Sequence, residues 1–310
     1  MRALLIVNPQ ATSTTRLRRD VIASALASAV KLDVVQTRYR GHAARLAATA
    51  RRDGCELVLT LGGDGTVNEA VNGIMADGAP AAELPALAAL PGGSANVFTR
   101  ALGLPRDPVD AAGHVLQALA ERRERTIGLG LADGRYFAFN AGLGLDAEVV
   151  RAVQGLRAHG RTATPSFYVR LALRQFYQRT DRRQPAITIE LDAGQPGEPV
   201  FLAIISNTAP WTYLGDREVQ ASPRASFDSD LDIFALRSLS SVATFTAVGQ
   251  MLMTRAGGRL RGKHVLAWHD QPSLRLMSAR PVAFQIDGEY VGERQKVSCR
   301  SIPNALRVVV

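Results

Sequence analysis

The sequence predicts an N-terminal doubly wound α/β domain followed by an antiparallel β-sandwich domain. Three observations lead there. Apolar strand-like runs alternate with helical periodicity over the first 125 residues. Past that point short strand-like runs follow one another, punctuated by Gly, Pro and Asp-Gly. A glycine-rich stretch, Leu61-Gly62-Gly63-Asp64-Gly65-Thr66, falls where a strand gives way to a helix. The expected boundaries are residues 1–125, rejoined by a final strand at about 303–310, and residues 126–302.

In the first part, Ala3–Val7 reads as a strand, Leu17–Val30 as helical, Val34–Gln36 as a short strand and His42–Arg52 as helical. Strand Leu57–Leu61, helix Thr66–Met75, strand Leu87–Leu90, helix Ser94–Leu102 and helix Pro108–Arg123 complete the alternation. In the second part the strand-like runs are Thr126–Leu131, Tyr136–Asn140, Ala186–Leu191, Val200–Ser206, Leu231–Leu236, Val265–His269, Ser273–Met277 and Pro281–Ile286. Two helical segments interrupt them, Ser166–Arg179 and Ser241–Arg255. The apolar Leu306–Val310 is expected to return to the first domain as a strand.

With 46% hydrophobic and 21% charged residues the composition is that of a globular protein. No apolar run is long enough to span a bilayer. Cys55 and Cys299 have no metal or redox spacing, so a reducing cytoplasm is expected. The net charge is +9, and residues 151–183 alone hold eight arginines against the single acid Asp181. Such a segment can meet an anionic membrane or phosphorylated ligands. No recognition motif accompanies it, so nucleic acid is not expected as a partner.

In a parallel sheet, ligands gather at the carboxyl ends of the strands. The loops there carry Asn8-Pro9, Gly62-Gly63-Asp64-Gly65 and Pro91-Gly92-Gly93-Ser94. Glycines let the backbone approach a phosphate, and a helix start supplies N–H groups. The acid Asp64 would repel phosphates unless a cation lay between, which points to a magnesium nucleotide and phosphoryl transfer.

Taken together, the motifs resemble the diacylglycerol kinase catalytic-domain family, which includes soluble bacterial diacylglycerol kinases and sphingosine kinases. The resemblance rests on Asn8-Pro9, Thr37 with Gly41-His42-Ala43, Gly62–Glu69, Pro91–Asn96, Asn140–Asp146, Ala225–Asp232, Asp287-Gly288-Glu289 and Pro303–Val308, in collinear order. It implies an ATP- and magnesium-dependent kinase for a lipid alcohol, most readily diacylglycerol. The partners it implies are a nucleotide and lipid at an anionic membrane surface, with peripheral association at the inner face of the membrane. A homodimer is compatible with it.

The resemblance also assigns residues. Asn8, Pro9, Gln10, Ala11, Thr12 and Thr37 would contact the nucleotide. Gly63, Asp64, Gly65, Thr66, Val67, Asn68 and Glu69 would hold its phosphates through backbone N–H groups and the Thr66 hydroxyl, with Asp64 on catalytic magnesium. Ser94 is expected to open a helix and offer donors. Asp287 and Glu289, on one side of an extended chain, would supply the proton acceptor. Asp228, with carbonyl oxygens near Ala225 and Asp230, would hold a structural magnesium. Asp146 would sit at the lipid headgroup. The helix Ser166–Arg179, interleaving Phe167, Tyr168, Leu171 and Phe176 with Arg170 and Arg174, would pack on the sandwich or lie on lipid.

Two departures stand out. The family's first loop often carries Gly and Lys after Asn-Pro, where Thr12 and Ser13 stand with Arg16 beyond. Val97 replaces an Asp that often follows the Asn equivalent to Asn96. Gly-Gly-Asp-Gly also occurs in NAD kinases, so that activity and a non-catalytic lipid- or nucleotide-binding module are the rival readings.

Overall fold

The computed structural model describes residues 1–11, 15–158, 165–178, 183–191 and 197–310. They form two compact units, Met1–Leu129 with Pro303–Val310, and Gly130–Ile302.

The first unit alternates β1 (Arg2–Val7), α1 (Arg16–Ala27), β2 (Lys31–Gln36), α2 (His42–Arg52), β3 (Leu57–Gly62), α3 (Asp64–Ile74), β4 (Ala86–Pro91), α4 (Val97–Ala101) and α5 (Pro108–Glu121), then enters β5 (Glu124–Ala132). β1 pairs in parallel with β2 on one side and β3 on the other, and β4 continues from β3. β3 and β4 are buried at every position, as expected of parallel strands covered on both faces. Ile22, Leu26, Ala111 and Val115 of α1 and α5 cover one face, over Leu5, Leu59 and Ala88. On α3, a Cβ at Gly73 would collide with the Ala44 carbonyl, so this glycine permits close approach of α2. The strand order reverses at β1, and the crevice at the carboxyl ends of β1 and β3 is the topological switch point.

The second unit continues with β6 (Arg135–Phe137), β7 (Asn140–Gly144), α6 (Leu145–Ala158), α7 (Pro165–Gln178), β8 (Ile187–Leu191), β9 (Glu198–Val200), β10 (Leu202–Ser206), β11 (Thr212–Leu214), β12 (Arg217–Val219), β13 (Leu231–Leu236), α8 (Ser241–Met253), β14 (Val265–Gln271), β15 (Ser273–Ile286) and β16 (Glu289–Val309), whose residues from Pro303 on belong to the first unit. The order β14-β13-β10-β7-β15-β16 is antiparallel throughout. β10 and β13 are buried on both faces. Ala203, Ile205, Leu231 and Ile233 pack with Phe137, Phe284 and Val297, whereas Ile204, Phe234 and Leu236 pack under Phe176, Ala247 and Met251 of the helices.

The fold class is as predicted, and the differences have local causes. A third helix, α6, begins straight after Gly144, a left-handed glycine that ends β7. Asp146 and Glu148 in its first turn favour that start. The runs Ser273–Met277 and Pro281–Ile286 are one strand, β15, with a register shift between Met277 and Val282. Of the expected Ser166–Arg179 helix, Phe176 is buried in the core, while the side chains of Phe167 and Tyr168 lie outside the described residues. Among the described residues no helix is long and apolar enough to cross a membrane.

Candidate functional site

In the first unit the loops after β1, β3 and β4 meet at the switch point. Asn8 organises the first loop: its Oδ1 accepts the Gln10 N–H at 3.0 Å, and its Nδ2 donates to the Thr66 hydroxyl at 3.2 Å. The Asn8 N–H bonds Leu61 O at 2.9 Å, tying this loop to the end of β3. Pro9 and Gln10 are exposed and Ala11 half-buried; Thr12 and Ser13 lie outside the described residues. Thr37 follows β2, half-buried, with its N–H on Val7 O at 2.8 Å.

The two glycine pairs touch. The Gly92 N–H donates to Gly62 O at 2.8 Å. A Cβ on Gly92 would stand 2.9 Å from Gly62 Cα, and one on Gly93 2.7 Å from Gly63 Cα. Asn96 braces this contact, accepting the Gly93 N–H and donating to the Gly93 carbonyl, both at 2.8 Å. Asn96 adopts the left-handed conformation, φ 50°, immediately before α4. The expected helix from Ser94 therefore starts only at Val97, and Ser94 stands exposed in the loop before it.

Asp64 opens α3 and joins these loops. Its Oδ1 accepts the Phe98 N–H at 3.1 Å, and the N–H groups of Val97, Asn96 and Asp64 itself also bond its carboxylate. Burial pushes its pKa up, and these N–H groups hold it down. A half-buried anion whose bonded partners are neutral fits a divalent cation, because magnesium takes one or two carboxylates beside phosphate oxygens.

The rest of the expected cradle is narrower than its motif. The N–H groups of Thr66 and Val67 both bond Gly63 O, at 2.9 and 3.2 Å, and the Val67 and Asn68 side chains are buried. Only the start of α3, around Gly63 and Gly65, can turn N–H groups toward a phosphate. Glu69 faces elsewhere: it accepts the Gly41 N–H at 2.7 Å and the Ala43 N–H at 3.1 Å, closing the N-terminus of α2.

The second unit gathers Asp146 and the Asp287-Gly288-Glu289 segment. Ile286 pairs with Glu289, and Asp287 and Gly288 have φ of 47° and 73°. They form a hairpin turn, so Asp287 and Glu289 do not share one side of an extended chain. The buried Asp287 carboxylate accepts the N–H groups of Ala138, Phe139 and Asn140 at 2.7, 3.0 and 3.0 Å. Both its oxygens serve the backbone. Glu289 is half-buried, with Oε2 held at 2.9 Å by Arg135.

Gln285, which the sequence reading passed over, links these acids. Its Nε2 donates to Asp146 Oδ2 and Asn140 Oδ1, both at 2.8 Å, and its Oε1 accepts the Gly288 N–H at 2.9 Å. The signal was a lone amide in the apolar run Val282–Ile286, since a buried amide needs partners. Burial raises the Asp146 carboxyl to about 6, opposed by the Gln285 hydrogen bond. Gly142 leaves room for it, because a Cβ there would collide with Asp146 Oδ2.

At the loop expected to hold structural magnesium, several backbone oxygens accept internal hydrogen bonds. Ala225 O accepts the Ala209 N–H at 3.2 Å, and the Ser229 hydroxyl lies 3.1 Å from Ser226 O and 3.3 Å from Asp230 O. Asp228 is exposed, and the Asp230 N–H goes to Asp270. Ser229 thus ties the loop from within, beside the exposed carboxylate of Asp228.

The chain is similar in sequence and fold to known proteins. The family profile described as "Diacylglycerol kinase catalytic domain" matches residues 2–131. The "Diacylglycerol kinase" of Bacillus subtilis (strain 168) is 30% identical over 258 residues, covering 81% of this chain and 76% of that protein. A "Probable lipid kinase YegS-like" from Stenotrophomonas maltophilia (strain K279a) is 28% identical, covering 98% and 94%. Among solved structures, a diacylglycerol kinase from Bacillus anthracis str. Sterne superposes with a TM-score of 0.72 at 19% identity, covering 99% of this chain and 96% of that one. An NAD kinase from Archaeoglobus fulgidus in complex with ATP reaches 0.53 at 9% identity, covering 100% and 94%. At such identities the structural likeness concerns the fold alone.

Proposed function

The chain belongs to the diacylglycerol kinase catalytic-domain family, and from that premise we propose that it transfers the γ-phosphate of ATP to a lipid alcohol, diacylglycerol in the first instance. The observation that carries this reading is Asp64 at the switch point, at the head of α3 and bonded to the loop after β4. The start of α3 and the Asn8–Thr66 pair orient the phosphates. Thr37 and the exposed Pro9 and Gln10 border the nucleotide. Asp64 would hold magnesium, which when bound neutralises charge on the transferring phosphoryl group.

In the second unit the geometry favours Glu289 over Asp287 as proton acceptor. Asp287 spends both oxygens on backbone N–H groups, whereas Glu289 has Arg135 to orient it. Asp146 lies with Gln285 behind the same turn and is assigned to the lipid headgroup. The protein works peripherally on the inner membrane face, where diacylglycerol resides.

The test is phosphorylation of a lipid panel, comprising diacylglycerol, a sphingoid base and monoacylglycerol in mixed micelles with magnesium-ATP, by the wild type and Asp64→Ala in parallel. Labelled phosphatidate from the wild type and loss of transfer in the variant are expected. ATP binding without transfer to any lipid alcohol would remove the activity, and NADP formation from NAD would move the protein to the rival enzyme class.

A further inference from the structure

The outer face of α8 is apolar and uncovered. Val242, Phe245, Val248 and Met253 are 79%, 47%, 43% and 72% exposed, while the inner face packs through Thr244, Ala247 and Met251. No residue of this helix is charged. A helix apolar on both faces with one face in water signals a missing apolar partner. Helix α7 widens the patch. Phe176 and Phe245 have ring centroids 6.3 Å apart, Tyr177 Oη reaches Ser241 Oγ at 3.4 Å, and Leu173 and Tyr177 are themselves exposed.

The charge beside this patch has one sign. The 37 residues from Ile233 to His269 hold five Arg or Lys and no Asp or Glu. Four of the five, Arg255, Arg259, Arg261 and Lys263, are exposed in the loop after α8, and among the described residues none of the four is ion-paired. The loop is pinned to the helix. Gln250 accepts the Arg261 N–H at 2.8 Å and donates to Arg261 O at 2.7 Å, and Leu260 is buried with Ala247 and Met251.

We propose that the outer face of α8 and the loop Arg255–Lys263 dock on an anionic phospholipid bilayer, with Val242, Phe245 and Met253 at the acyl boundary and the four cations on the headgroups. Charge selects this occupant, since apolar side chains rimmed by unpaired cations match an anionic interface. The inference rests on the lipid-kinase reading and deepens it, placing the docking surface on α8 where the sequence pointed to the helix before it.

Flotation with vesicles of phosphatidylcholine alone, or mixed with phosphatidylglycerol, tests it. The wild type floats with the mixed vesicles and much less with the neutral ones, and salt weakens the binding. Phe245→Asp and Val242→Asp each cut binding by at least about tenfold, because exposed sites tolerate the change while the interface does not. Transfer to diacylglycerol in the mixed vesicles falls in step, while transfer to dihexanoylglycerol below its micellar concentration is retained. Equal flotation of wild type and Phe245→Asp overturns the proposal. So does a concentration-dependent dimer in sedimentation that Phe245→Asp dissociates, because the face would then be covered by a second copy. Failure of the kinase reading looks different: no substrate is phosphorylated, and flotation is unchanged.

Discussion

In the first unit Asp64 gathers the N–H groups of Asn96, Val97 and Phe98; in the second, Asp287 gathers those of Ala138, Phe139 and Asn140. Each carboxylate accepts three successive backbone N–H groups. What remains afterwards differs. Asp64 stays partly exposed at the head of a helix, whereas Asp287 is 2% exposed beneath a hairpin turn. Two acids in comparable motifs thus separate into one that can meet a ligand and one that folds the chain around its neighbour, Glu289.

The largest effect should come from breaking the second anchor. Asp287→Ala leaves three buried donors unsatisfied and should cost roughly 3–5 kcal/mol, read from urea unfolding. Asp64→Ala, at a carboxylate only partly buried, should cost less; an equal loss would erase the distinction between the two acids.

A third acid sharpens the contrast, because Asp146 is also buried but receives the Gln285 amide instead of a fan of backbone N–H groups. Its carboxyl rises from 3.8 to about 6, so folding favours the protonated form. The stability this group contributes is full below the unfolded value and is lost as pH rises through 6. Asp146→Asn should remove its share, worth roughly 3 kcal/mol, and reduce the fall of the melting temperature between pH 4 and 7, leaving the part due to Asp64 and Asp232, whose carboxyls burial also raises. A slope unchanged in the variant would assign it to other groups.

Glu289→Gln should lower lipid phosphorylation by about a hundredfold and leave unfolding nearly untouched. Unchanged turnover would return the proton acceptor to Asp287 or to water. The smallest change is expected at Ser229, whose hydroxyl ties the Ala225–Asp230 loop. Ser229→Gly should cost about 1 kcal/mol in thermal unfolding, and no loss would mean the loop is held by Asp270 alone.

What was legible in the sequence follows from how local each signal is. His42–Arg52 and Leu231–Leu236 have the predicted bounds, because Gly41 supplies a left-handed helix start and the strand is buried from end to end. The three loops at the switch point were legible because strand and helix periodicity bracket them. Ser94 misled because the start of α4 is fixed by the contact of Asn96 with Gly93 and by Asp64, some thirty residues earlier in the chain. β16 was read only over its last residues, since its exposed positions alternate Arg, Lys and Ser with few apolar partners. The pairing of Asp287 with residues 138–140 joins segments nearly 150 residues apart, which no local pattern encodes.

The backbone contact between Gly62–Gly63 and Gly92–Gly93 leaves no side chain between the loops to yield when a ligand arrives. The corner is a rigid mould, its ordering entropy already spent in folding, so little is lost when a phosphate enters. It also has no slack for retuning: even one methyl would prise the strand ends apart. On the proposed nucleotide reading, a change of preference would have to be written at the rim, in Gln10 and Thr37.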